Sequence, residues 1–79
     1  MNRIKEPVRV AVVGCGAVSA LYYAPALQEL RRAGEVELTA VFDPDREAAE
    51  RLAARFPAVA VADSFEALQA AEFDLAVVA

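Results

Sequence analysis

The sequence contains no histidine, a single cysteine (Cys15) and a single lysine (Lys5). Without histidine, and with one thiol, the usual ligand sets for zinc cannot be assembled. The same scarcity leaves no pair of residues that makes a credible acid–base or nucleophile constellation. One cysteine allows no internal disulfide, so a reducing compartment, the cytoplasm, is the expected location. Basic residues are also short: eight Lys and Arg stand against twelve Asp and Glu, for a net charge of −4 and a pI near 4.6. That balance argues against a nucleic-acid partner.

A long uncharged run, residues 10–27 after Arg3, Lys5 and Arg9, has the outline of a signal peptide with Ala24-Pro25-Ala26 as a cleavage-like site. Two glycines and a proline interrupt its apolar core, and an acidic tail with a continuing α/β pattern follows it, so secretion is set aside. The same breaks and the short length argue against a membrane span. At 79 residues the chain makes at most one small domain. Its 58% apolar content, much of it Ala and Val, is that of tightly packed helix–sheet layers.

What is present is organised around Val8–Ser19. A β-branched run, Val-Arg-Val-Ala-Val-Val, ends in Gly14-x-Gly16-x-x-Ser19 and passes directly into a helical pattern. This is the strand–turn–helix of a dinucleotide site. Gly14 permits the tight turn, Gly16 lets a pyrophosphate approach the backbone, and the third position must be small because helix and strand pack closely there. The phosphates would rest on the free N–H groups of the first helical turn. Cys15, between the glycines, is read as a small residue over the pyrophosphate, beside a helix N-terminus that could lower its pKa.

Taken in order, residues 1–7 form a charged lead-in with Lys5 at the surface, and Val8–Val13 is a strand buried on both faces. A helix from about Ala17 to Ala33 is expected to bury Val18, Leu21, Tyr22, Ala26, Leu27 and Leu30. Pro25 should kink it or divide it in two, and Gly34 should stop it. Tyr22 and Tyr23 are adjacent, so one is assigned to the core and the other to a cleft. Val36–Phe42 is the second strand. Asp43 is expected to cap a helix from Pro44 to Phe56, with Pro44 at its first position, Glu47 and Arg51 paired on the wet side and Pro57 ending it. A strand over Ala58–Ala62, a capping box in Asp63-Ser64-Phe65-Glu66 opening a helix to about Ala71, and a strand over Leu75–Ala79 complete the pattern. The order β-α-β-α-β-α-β predicts a parallel sheet ordered 3-2-1-4, part of a six-stranded Rossmann α/β fold cut short after the fourth strand.

Asp43 stands at the carboxyl end of the second strand, 24 residues beyond Ser19 where the usual interval is about 20. A carboxylate there accepts hydrogen bonds from the adenosine ribose and repels a 2′-phosphate, which favours NAD while leaving NADP possible. Arg46 could lean towards such a phosphate or pair with Glu50.

With these residues in view, the sequence resembles the start of the glucose–fructose oxidoreductase / inositol dehydrogenase / rhizopine-catabolism family. The resemblance rests on Val-Ala-Val-Val-Gly-Cys-Gly-Ala-Val-Ser and Leu21-Tyr-Tyr-Ala-Pro-Ala-Leu27. It continues in Val36–Asp45, the helix Ala48–Phe56, Asp63–Leu68 and Phe73–Ala79. It implies NAD(P)-dependent oxidation and reduction of sugar- or polyol-like substrates, with a separate substrate domain that builds a homo-oligomer. Residues 8–79 would then be the N-terminal part of the dinucleotide-binding domain. Gly14, Cys15, Gly16, Ala17 and Val18 would contact the pyrophosphate, Asp43 with Pro44 the ribose, and Ala79 would open the cofactor loop. Many members carry histidine near Tyr22–Tyr23, which this sequence lacks. The family's catalytic Glu-Lys-Pro lies beyond the fourth strand, and Lys5-Glu6-Pro7 has similar letters in the wrong order and place. Two other readings compete: a non-catalytic NAD-sensing module, and a methyltransferase, whose turn usually wants glycine where Val18 stands.

Overall fold

The computed structural model describes residues 6–79, so the reading of Lys5 as a surface residue lies outside the described residues. Four strands, β1 (Val8–Val13), β2 (Val36–Phe42), β3 (Ala60–Val61) and β4 (Leu75–Val78), form one parallel sheet in the order β3-β2-β1-β4. The expected order therefore holds. Three helices intervene: α1 (Ala24–Arg32), α2 (Arg46–Ala53) and α3 (Phe65–Ala70).

Side chains alternate across β1, as the strand period requires. Val10 and Val12 pack with Ala24 and Leu27 of α1 and with Ala48, Ala49 and Leu52 of α2. Ala11 faces the other way, with Ala40 and Leu68 of α3. The two faces thus carry two helices and one. The β1–β2 register slips between Val10 and Ala11, where β2 carries the extra residue Thr39. Its hydroxyl lies 3.3 Å from the Val10 carbonyl it donates to. At the opposite end of the sheet from the glycine turn, Arg9 forks onto Asp74 with an ion pair of 3.1 Å and reaches Glu72, tying β1 to the start of β4. This fork holds the Asp74 carboxyl below its ordinary pKa.

The helix expected from about Ala17 runs without a break to Arg32, and in place of a division at Pro25 its winding changes just before it. A π-helical turn, Ser19–Tyr23, precedes α1, and Pro25 falls in the first turn of α1. The wide turn spaces the proline ring from the carbonyl it would crowd in an α-helix. It also moves the buried stripe. Ser19, Ala24 and Leu27 are buried, whereas Val18, Leu21 and Tyr22 are 54%, 67% and 69% exposed. Ala26, Leu30 and Tyr23 are also exposed, so neither tyrosine is in the core. The step from Ser19 to Ala24 is five residues, and a stripe extrapolated at α-helical spacing falls on the wrong side. Gly34 ends α1 at φ +77°. Its N–H bonds Arg31 O and that of Glu35 bonds Leu30 O, both at 2.9 Å, the paired bonds of a Schellman stop.

The other helix boundaries need correction too. Asp45, not Asp43, caps α2, accepting from the N–H groups of Glu47 and Ala48, and Pro44 stays outside the helix. The ion pair along α2 is Arg46–Glu50 at 3.1 Å, in place of Glu47–Arg51. The helix ends at Ala53, because bonds from Arg55 N to Leu52 O and from Phe56 N to Ala53 O tighten the last turn before Pro57. Ser64 alone caps α3, its Oγ accepting from Ala67 N at 3.0 Å. Ala67 occupies the position a capping box would give to Glu66. β3 is two residues, shorter than expected, because the turn before it places Ala58 at φ +56°.

Candidate functional site

Three strand ends converge on Gly14. Its N–H donates to Phe42 O at the end of β2, and Ala79 N donates to Val13 O at the end of β1, both at 2.9 Å. Gly14 has φ +94°, and a Cβ on it would lie 2.7 Å from the carbonyl oxygen of Ala79. This glycine is demanded twice, by its backbone conformation and by the approach of the chain leaving β4. Gly16 is different: a Cβ there would meet nothing within 4 Å. Its missing side chain leaves open volume beside the turn.

Asp43 lies across the turn from the glycines and uses both carboxylate oxygens on the backbone. Oδ2 accepts from Cys15 N and Oδ1 from Asp45 N, each at 2.7 Å. The residue read as a cap is instead a bridge between the first turn and the second. With Asp43 so occupied, Asp45 is left to cap α2. Each carboxylate oxygen accepts several bonds, so acceptor capacity remains towards the groove.

Ser19, the third small position, is 1% exposed. Its hydroxyl donates to the Gly14 carbonyl and closes the glycine turn onto the first turn of the helix. Sequence reasoning saw the need for a small residue and missed this bond; the available signal was that a buried hydroxyl needs a partner. The N–H groups of Gly16, Ala17 and Val18 have no acceptor among the described residues, as expected at a helix start.

A groove of about 220 Å³ collects these features, lined by Gly14, Gly16, Ala17, Val18, Ser19, Asp43 and Ala79. Of the residues singled out in the sequence, Cys15, Pro44 and Arg46 are not on its wall. Cys15 lines an adjoining cavity of about 560 Å³ between the glycine turn and α2, which shares Gly16 and Ala17 with the groove. Arg46 is engaged by Glu50 and Asp63. Pro44 is exposed beside Asp43.

The Cys15 thiol is pushed up to about 11, first by burial and then by the Asp43 charge. The lowering proposed from the helix N-terminus does not occur, because the thiol is turned into the core and the helix-end field is outweighed. The sign for stability follows. The unfolded thiol ionises near 9 and the folded one near 11, so folding stability is lost as pH rises through that interval. A pH series of denaturation midpoints should show this decline, and Cys15→Ala should remove it. At pH 8 the folded protein should resist iodoacetamide, with labelling restored on unfolding.

Among the described residues no group of three or more His, Cys, Asp and Glu is disposed to hold a metal ion. No helix among them is long and apolar enough to cross a membrane.

Residues 8–79 match the family model described as the oxidoreductase family, NAD-binding Rossmann fold (GFO_IDH_MocA). Among solved structures, an oxidoreductase from Thermotoga maritima is similar, with a TM-score of 0.79 and 33% sequence identity over 90% of this chain. The chain spans 22% of the length of that oxidoreductase. A search of the curated proteins finds no match.

Proposed function

The chain belongs to the oxidoreductase family with an NAD-binding Rossmann fold (GFO_IDH_MocA), and from that premise we propose that it forms the cofactor-binding part of an enzyme that transfers hydride between nicotinamide and a sugar- or polyol-like substrate. A dehydrogenase of this kind would recruit its substrate-binding and catalytic groups from chain outside these residues. We place it in the cytoplasm, as a homo-oligomer in its full-length form.

The site's chemistry fits a dinucleotide. Gly16, Ala17 and Val18, whose N–H groups have no acceptor among the described residues, line a groove that Gly16 leaves open, and a pyrophosphate requires such donors at a helix start. Asp43, with Pro44 beside it, would accept from the adenosine ribose hydroxyls, and Ala79 would open the loop that covers the cofactor. Cys15 contributes its N–H to Asp43 rather than its thiol to the ligand. When bound, the nicotinamide ring supplies the hydride acceptor or donor. The observation that carries the reading is the 2.7 Å bond from Cys15 N to Asp43 Oδ2, which joins the ribose acid to the phosphate turn.

The same bond bears on cofactor choice. With Asp43 on the ribose, a 2′-phosphate would meet a carboxylate held in place, and like charges in a poorly solvated groove repel. Arg46, already paired with Glu50 and Asp63, is a poor counter-ion for that phosphate. NAD is therefore the preferred cofactor. In the full-length protein, Asp43→Ala should weaken NAD about tenfold more than NADP, the size of a hydrogen bond to a charged group. Calorimetric titration of both cofactors decides it. Equal wild-type affinity for NAD and NADP, unchanged by the substitution, would remove Asp43 from the ribose site.

A further inference from the structure

The wide turn before α1 leaves one backbone group that the helix cannot serve. In an α-helix the carbonyl of Ala20 would accept from Ala24 N. Here that N–H reaches back to Ser19 O. In the π register the donor would come from residue 25, and Pro25 has no N–H. A donor arrives from another element: Nη1 of Arg55, just past the end of α2, stands 3.1 Å from Ala20 O. The Arg55 carbonyl in turn accepts from Nε2 of Gln28 on α1 at 2.6 Å. Two bonds running in opposite senses therefore clamp the wide turn and α1 to the end of α2.

The clamped segment is the one that carries the phosphate turn. Ser19, the first residue of the wide turn, is bonded to Gly14 O, and Ala17 and Val18 lie directly before it. A wide turn free to rewind would carry those N–H groups with it. Taking as given the reading that Gly16–Val18 hold the pyrophosphate, we infer that Arg55 is a positioning residue for the dinucleotide site. It supplies the hydrogen bond that Pro25 withholds and so fixes the direction of the first-turn N–H groups.

The test uses the full-length protein and NAD titrations, with melting temperature followed in parallel. Arg55→Met should raise the NAD Kd about fivefold, the value of one charge-assisted bond reduced by its exposure. Arg55→Lys keeps a donor and should stay within about twofold of wild type. The decisive variant is Pro25→Ala, which returns an N–H to position 25. In that background Arg55→Met should cost less than about twofold, because Ala20 O has a donor within its own helix. If Arg55→Met does not fold, Arg55→Gln, whose arm is too short to span the gap, is compared across the same two backgrounds. An unchanged Kd in Arg55→Met, or the same loss with Pro25 and with Ala at that position, would overturn the inference while the cofactor reading stands. A wild-type protein that bound no NAD would overturn both.

Discussion

Gly16→Val is expected to weaken NAD binding in the full-length protein by about two to three orders of magnitude while leaving its melting temperature close to wild type. The two halves of this expectation have separate causes. Nothing lies within 4 Å of the position a Cβ would take, so a side chain can leave the backbone there without a clash at its root. The space it fills is the wall of the groove that also holds Ala17, Val18 and Asp43. A pyrophosphate held off that wall loses two or three charge-assisted hydrogen bonds to backbone N–H groups. At about 1.5 kcal/mol or more each, this weakens binding by about two to three orders of magnitude. Gly16→Ala, with its smaller side chain, should fall between. Undiminished NAD affinity in Gly16→Val would place the pyrophosphate elsewhere.

Gly14→Ala should do the opposite: unfold the protein more readily, whether or not cofactor is present. An alanine at φ +94° is strained, at a cost of about 1–3 kcal/mol. Its Cβ would also stand 2.7 Å from Ala79 O, a backbone atom held by the bond from Ala79 N to Val13 O. Relieving that clash means parting the ends of β1 and β4, which adds about 1–3 kcal/mol. The expected total of about 3 kcal/mol or more is large beside the stability of a small domain. Urea denaturation of Gly14→Ala and Gly16→Ala side by side gives the contrast, with the midpoint falling for the first and nearly unchanged for the second. Similar midpoints for both would mean that the turn relaxes and that Gly14 is not pinned between the strands.

Two glycines two residues apart thus read alike in the sequence and act for different reasons. The motif marks a turn that needs small residues. It does not say which glycine answers to the fold and which to the ligand. That distinction comes from Ala79, 65 residues from Gly14 along the chain. Asp43 shows the same division. Its place after an apolar strand marks it as an acid at the sheet's carboxyl edge, and that placement holds. The role of cap went instead to Asp45, because Asp43 had a longer-range partner in Cys15 N, 28 residues away. Local pattern offers both acids of Asp43-Pro44-Asp45 as caps and gives no ground for choosing between them.

The sequence by itself determined the alternation of strands and helices, the glycine turn on β1 and an acid beside it, because each is written in periodicity or in a residue's own conformational limits, and the sheet order 3-2-1-4 followed from that alternation through the right-handed crossovers of a dinucleotide fold. Only the tertiary structure decided which face of the first helix is buried, which acid caps and which bridges, why Gly14 and Ser19 are held, and who serves Ala20. A wide turn displaces a helical stripe by a residue, and a carboxylate, hydroxyl or guanidinium goes to whichever orphaned backbone group the packing brings within reach. Neither event leaves a mark in the spacing of the residues that take part.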